Sequence, residues 1–440
     1  ENTALAADAA GHHDPIAEVL LPLIAILLTA KLGGAIFERL GFPAVLGELV
    51  GGVILGNLVL VNPTWNFFEP LRMAPPKSYS AIAVDSLARL GVIVLLFEVG
   101  LESSIKKMAR VGVSSFMVAV LGVITPFLLG YGASSIFVKQ IHPELAAIVP
   151  AGFSLHYIHL FVGAVLCATS VGITARVFKD MGELQTEEAQ IILGAAVIDD
   201  VLGLMVLAIV SGVVSSAVFG QPLALGAVFR LVGILVLFLG GTLVLGSFLV
   251  PHFMKQASRL QTSGMMLVSA LVFAFAVAYL ADSVGLAPIV GAFAAGLLLE
   301  KVHFRDFGAD VQIEDLIRPV STFLVPIFFV MMGIQVRLET FGNASVLGLA
   351  AALTVAAVLG KQACAFGVIG KGLNRWCVGI GMIPRGEVGL IFASIGMSMN
   401  IIGPGVYSAL VIMIILTSLM APPLLALVIK HSDKCAMQSG

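Results

Sequence analysis

Charge is scarce in this chain of 440 residues: only 11% are Asp, Glu, Lys or Arg, against about 25% in soluble proteins. So few solvated side chains cannot cover a soluble core drawn from a sequence that is 59% hydrophobic. A sizeable soluble domain is therefore excluded. The two signs nearly cancel, with 24 basic and 26 acidic residues and a net charge of −2. That balance leaves no basic surface for nucleic acid. The four cysteines include no CxxC pair and exclude a disulfide framework. Cys167, Cys364 and Cys377 lie in apolar stretches and read as small packing residues, and Cys435 falls in the C-terminal tail.

What remains is apolar sequence in long runs, with mean hydropathy +1.06. A spanning helix needs about 20 apolar residues, and runs bounded by Gly, Pro and charge predict thirteen spans. They lie near 16–38, 43–60, 80–101, 111–137, 157–180, 186–213, 223–250, 261–284, 286–301, 312–336, 343–371, 373–399 and 404–430. The fold class expected is an all-α polytopic membrane protein with about thirteen helices. Residues 1–15 are polar and too short to span.

Charge orients the threading. With the N-terminus outside, the inner connections hold fourteen of the 24 basic residues, among them Arg39, Lys106, Lys107, Arg110, Arg176, Lys179 and Arg375. The outer ones hold four, Arg72, Lys77, Lys139 and Arg337. Basic residues concentrate on cytoplasmic loops, so the expectation is N-out and C-in.

The chain also repeats itself. GELVGGVILG in the second span and GAFAAGLLLE in the ninth align at an offset of 244. LFEVGLE (96–102) and FVMMGIQ (329–335) align at 233, and AVLG at 119 and 357 align at 238. Paired helices are seven spans apart, an odd number, so the two five-helix units have opposite topology. Inverted repeats point to a secondary transporter with its site at the repeat interface.

An ionisable residue at the bilayer centre costs about 2.5–3.5 kcal/mol even on the lenient insertion scale. The residues that accept this cost are the candidates. GAAVIDDVLGL places Asp199 and Asp200 mid-membrane on the sixth span, and LGKQACAFG places Lys361 mid-membrane on the eleventh as their natural counter-charge. Two spans look broken. LCATSVGIT puts Thr169 and Ser170 mid-membrane, and IPRGEVGLIFA puts Pro384, Arg385, Gly386 and Glu387 at similar depth. Freed carbonyls there can ligate a cation, and Ser170, Arg385 and Glu387 would compensate the partial charges of the broken ends. Glu48 and Glu98 lie within or near the ends of spans and read either as a cation-concentrating funnel or as solvated mouth residues.

At this point the motifs match a family. ATSVGITARV (168–177), GAAVIDDVLGL (194–204), LAPIVGAF (286–293), PIFFVMMG (326–333) and PRGEVGLI (384–391) resemble the bacterial monovalent cation:proton antiporters of family 2, the NapA-like branch. The resemblance runs from about residue 16 to 430. It implies dimer-domain helices over 16–101 and 261–336, core-domain helices over 111–213 and 343–430, a linking helix over 223–250, and tails at 1–15 and 431–440. It further implies elevator-type alternating access and a homodimer in the bacterial inner membrane. Asp200 would be the principal cation and proton carrier, Asp199 the partner of Lys361, and Thr169 a hydroxyl at the helix crossing. Paired aspartates mark the electrogenic sodium/proton exchangers, whereas relatives with Asn-Asp or Gln-Asp do not fit.

The expected activity is therefore exchange of Na+ or Li+ for H+, without a cofactor or an enzymatic step. The expected partners are membrane lipid, small monovalent cations and a second copy, with no nucleic acid. Potassium/proton exchange is the rival and a cation channel a remote one. An intramembrane aspartyl protease would want its acids on facing helices, and here they are adjacent on one helix with no GxGD.

Overall fold

The computed structural model describes residues 15–72, 78–103, 105–141, 153–219, 225–260, 262, 264–299, 312–336, 338–342, 344–370 and 372–439. The described residues form α1 (Pro15–Arg39), α2 (Ala44–Gly56), α3 (Tyr79–Glu102), α4 (Ile105–Phe137) and α5 (Leu155–Val165). They continue with α6 (Val171–Asp180), α7 (Glu187–Phe219), α8 (Leu225–Ser258), α9 (Met265–Ser283) and α10 (Pro288–Leu298). The last five are α11 (Ile313–Ile334), α12 (Ala344–Gln362), α13 (Arg375–Gly381), α14 (Glu387–Ser398) and α15 (Pro404–Ser439). Among the described residues, eight helical stretches are long and apolar enough to cross a membrane, and four apolar helices are shorter. The chain is an all-helical, polytopic membrane protein.

Local sequence explains where the helices start. Ser78 accepts from the Ala81 amide at 3.2 Å to cap α3, and Asn374 accepts from the Cys377 amide at 3.1 Å to cap α13. Pro288 opens α10 at a position where its missing N–H costs nothing.

Packing brings α11 against α3 and α2, and α10 against α3 and α9. Separately, α4 packs on α7, α5 and α12, and α12 also packs on α15. Glycine permits the closest crossings, as small residues do where no hydrophobic force separates helix from lipid. A Cβ on Gly52 of α2 would strike the Val330 carbonyl of α11 and come within 2.9 Å of Gly333 Cα. A Cβ on Gly296 of α10 would strike the Phe97 carbonyl of α3 and come within 2.8 Å of Gly100 Cα.

The fifth expected span is two helices, α5 and α6, separated by residues 166–170, and the twelfth is α13 and α14, separated by 382–386. Pro384 lacks the amide that a continuous helix would need. The two gaps meet: the Ser170 amide donates to the Pro384 carbonyl at 2.8 Å.

Candidate functional site

The gap between α5 and α6 carries Thr169 to the middle of α7. The Thr169 hydroxyl donates to Asp199 Oδ2 at 2.5 Å. From the last turn of α12, Lys361 Nζ lies 3.1 Å from Asp199 Oδ1 and 3.2 Å from Oδ2. Lys361 and Asp199 are both 0% exposed, so the pair is sealed by protein before any lipid is considered. A cation in the last turn of a helix also faces the partial negative charge of its carbonyl end. Asp200 follows Asp199, is buried, and points about 100° away around α7.

The pair has room because α4 presents a glycine. A Cβ on Gly122 would lie 3.1 Å from Lys361 Nζ, 3.4 Å from Asp199 Oδ1 and 3.0 Å from Cys364 Sγ. Helix α4 also braces α12 from a turn further on, where Thr125 Oγ1 donates to the Gly360 carbonyl at 2.9 Å.

Arg385 stands in the second gap and is fully buried. Its Nη1 donates to the Ala168 carbonyl, beyond the broken end of α5, while the Ser418 hydroxyl of α15 donates to the Arg385 carbonyl. The guanidinium thus places positive charge just beyond the carbonyl end of α5. Its Nε and Nη2, and the Ser170 hydroxyl beside Gly386, have no hydrogen-bond partner among the described residues. The Glu387 side chain lies outside the described residues, and its backbone opens α14.

Glu48 and Glu98 are not at an open mouth. Both are buried, at 3% and 2% exposure. Glu48 lies 3.5 Å from Arg176, which also holds Asp180 at 2.8 Å, and Glu98 pairs with Lys179. The physical reason is that α6 lies against α2 and α3, so its cations face their acids rather than water. Arg176 and Lys179, which the sequence offered only as topology charges, bond α6 to the neighbouring helices.

The geometry is that of a buried, charge-paired carboxylate at the meeting of two broken helices. The family model "Sodium/hydrogen exchanger, transmembrane" matches residues 24–431. The chain belongs to the sodium/hydrogen exchanger family. It is 37% identical to the high-affinity Na(+)/H(+) antiporter NhaS3 of Synechocystis sp., over 95% of this chain and 91% of that one. It is 31% identical to the Na(+)/H(+)-K(+) antiporter GerN of Bacillus cereus, over 96% and 99%. It is 30% identical to an Na(+)/H(+) antiporter of Enterococcus hirae, over 94% and 97%. Its fold is similar to that of the sodium proton antiporter MjNhaP1 of Methanocaldococcus jannaschii, with TM-score 0.58, 18% identity, and 96% and 98% of the two chains covered.

Proposed function

We propose that this protein is an electrogenic Na+(Li+)/H+ antiporter that exports Na+ by elevator-type alternating access. The carrying observation is Asp199, fully buried and held between Lys361 and Thr169 where the two helix gaps meet. In this reading Asp200, Asp199 and Thr169 supply hard oxygen ligands for the cation. Facing outward, the site takes protons on Asp200 and on either Asp199 or Lys361. Once the core has moved, a cytoplasmic Na+ displaces them. Two coupled titrating groups move more than one proton per Na+, and they titrate as a set. An empty, fully charged site does not cross, because net charge in the bilayer is expensive.

The same reading divides the helices. Helices α1–α3 and α9–α11 form the dimer domain, α4–α7 and α12–α15 the core, and α8 the link, in a dimer in the bacterial inner membrane with the N-terminus outside. The inverted repeat finds support in the glycine crossings. Offsets of 244 and 233 carry Gly52 to Gly296 and Gly100 to Gly333, and they carry Leu49 to Phe293 and Phe97 to Val330. The Gly52–Gly333 crossing against Leu49 and Val330 thus becomes the Gly296–Gly100 crossing against Phe293 and Phe97.

Potassium/proton exchange is the second reading, favoured by the likeness to GerN, whose name includes K(+). Purified protein in liposomes separates the two when internal pH is followed after addition of Na+, Li+ or K+. Na+ and Li+ should drive proton flux and K+ should not, and Asp200→Asn should abolish it with folding intact. Wild-type exchange in Asp200→Asn would sink the assignment.

A further inference from the structure

On the outside of the helices that carry the site, an apolar pocket of about 320 Å³ opens between α12 and α13. That volume is in the range of small-ligand sites, about 300–1,000 Å³. Its walls are Leu359, Ala363, Phe366 and Trp376. Phe366 is 81% exposed and Trp376 67%. In a chain that spans the membrane, such exposure means contact with lipid.

Two polar features interrupt the apolar lining. The first is the Gln362 amide, packed so closely on α13 that a Cβ on Gly379 would lie 2.6 Å from its Oε1. Both amide atoms are buried with no hydrogen-bond partner among the described residues. An unpaired buried amide is costly, and an occupant that brings a polar group can pair it once the Gln362 side chain turns from α13 toward the pocket. The second is Arg375, the pocket's one charged lining residue, exposed at the start of α13. Among the described residues it has no ion-pair partner. Glu188, the acid beside it, is engaged by the Asn374 amide at 2.8 Å. An unpaired arginine next to an exposed tryptophan, at the membrane end of an apolar pocket, is the arrangement that recognises an acidic lipid headgroup.

We propose that this pocket binds an anionic phospholipid. One acyl chain lies between α12 and α13, the phosphate meets the Arg375 guanidinium, and the glycerol-ester region meets the Gln362 amide once that side chain has turned outward. A free phosphate would use the arginine alone and leave the apolar walls unfilled. Bound lipid would touch α12 one residue beyond Lys361 and α13 in its first turn, at Arg375 and Trp376. The site thus adjoins the carboxylate pair without being part of it.

The test uses the two tryptophans, Trp65 and Trp376, that the chain contains. In a Trp65→Phe background, Trp376 alone reports. The full-length protein is reconstituted in phosphatidylcholine carrying a fixed small fraction of either brominated phosphatidylglycerol or brominated phosphatidylcholine. The phosphatidylglycerol should quench Trp376 several-fold more effectively, and added salt should weaken the preference. Arg375→Gln should abolish it, and Arg375→Lys should keep part of it. Equal quenching by the two lipids with Arg375 intact overturns the proposal, as does a preference that survives in Arg375→Gln. The measurement needs no ion exchange, so its outcome is separate from that of the liposome assay.

Discussion

Lys361 and Gly122 face each other across α12 and α4 with little room for a side chain: a Cβ on Gly122 would lie 3.1 Å from Nζ. Gly122→Ala leaves every charge in place and changes only this distance. The ammonium ends a flexible chain and yields first, which loosens its hold on Asp199. Exchange in liposomes should fall and its pH profile should shift, because the residue altered in position is one that carries charge. Overpacking costs about 1–3 kcal/mol, so the protein should still fold. Adding Cys364→Ala frees the third contact, 3.0 Å away, and should restore part of the exchange. A wild-type rate and pH profile in Gly122→Ala would show that the pair does not depend on this gap.

The contrast between Gly122 and its neighbours shows what a sequence reveals. Asp199, Asp200 and Lys361 were conspicuous because a charge in a membrane span is expensive, so each demands a reason. The two helix gaps were legible for a related reason: Pro384, Gly386 and the Thr169–Ser170 pair interrupt apolar runs with groups that free the backbone. Gly122 was not legible, being one of 47 glycines whose importance depends on what stands opposite. Glu48 and Glu98 are visible in the sequence as acids within or near span ends, but their partners are not. Which face of α6 meets α2 and α3 is decided by packing among helices distant in sequence, and that alone turns Arg176 and Lys179 toward those acids.

Removing one member of the Lys361–Asp199 pair should cost more than removing both. A buried charge left without its partner is destabilising by about 3–5 kcal/mol, whereas replacing both charges is often near neutral. Thermal unfolding in detergent should therefore show a large fall in Tm for Lys361→Met and for Asp199→Leu. The double variant should recover much of it, a strong departure from additivity. Additive losses would mean that the 3.1 Å contact contributes little to stability.

The bonds from α6 to α2 and α3 should act on the conformational equilibrium rather than on the site. Under the proposed domain division they join core to dimer domain near the cytoplasmic end, and so favour a state closed on that side. Glu48→Gln with Glu98→Gln removes both acids without touching Asp199 or Asp200. Amides of α6 should then exchange hydrogen faster. Apparent affinity for internal Na+ should rise about 5-fold for a coupling near 1 kcal/mol, because the inward-open fraction grows. Unchanged α6 exchange and unchanged internal affinity would assign these pairs to static packing.

The glycine crossings give the inverted repeat an energetic test. In both crossings the atom that an added methyl would strike is a backbone carbonyl, which cannot swing aside as the end of a side chain can. Gly52→Ala and Gly296→Ala should therefore force their helices apart, each at an overpacking cost of about 1–3 kcal/mol. The control is Gly132 of α4, where an added Cβ meets nothing within 4 Å. There the change to Ala should be neutral or slightly stabilising, since glycine is less favourable than alanine in a helix by about 1 kcal/mol. If the two halves share one design, the Tm losses at Gly52 and Gly296 should be similar to each other and well separated from Gly132→Ala. A loss at only one of them would mean that the sequence offsets of 244 and 233 align residues whose packing is not equivalent.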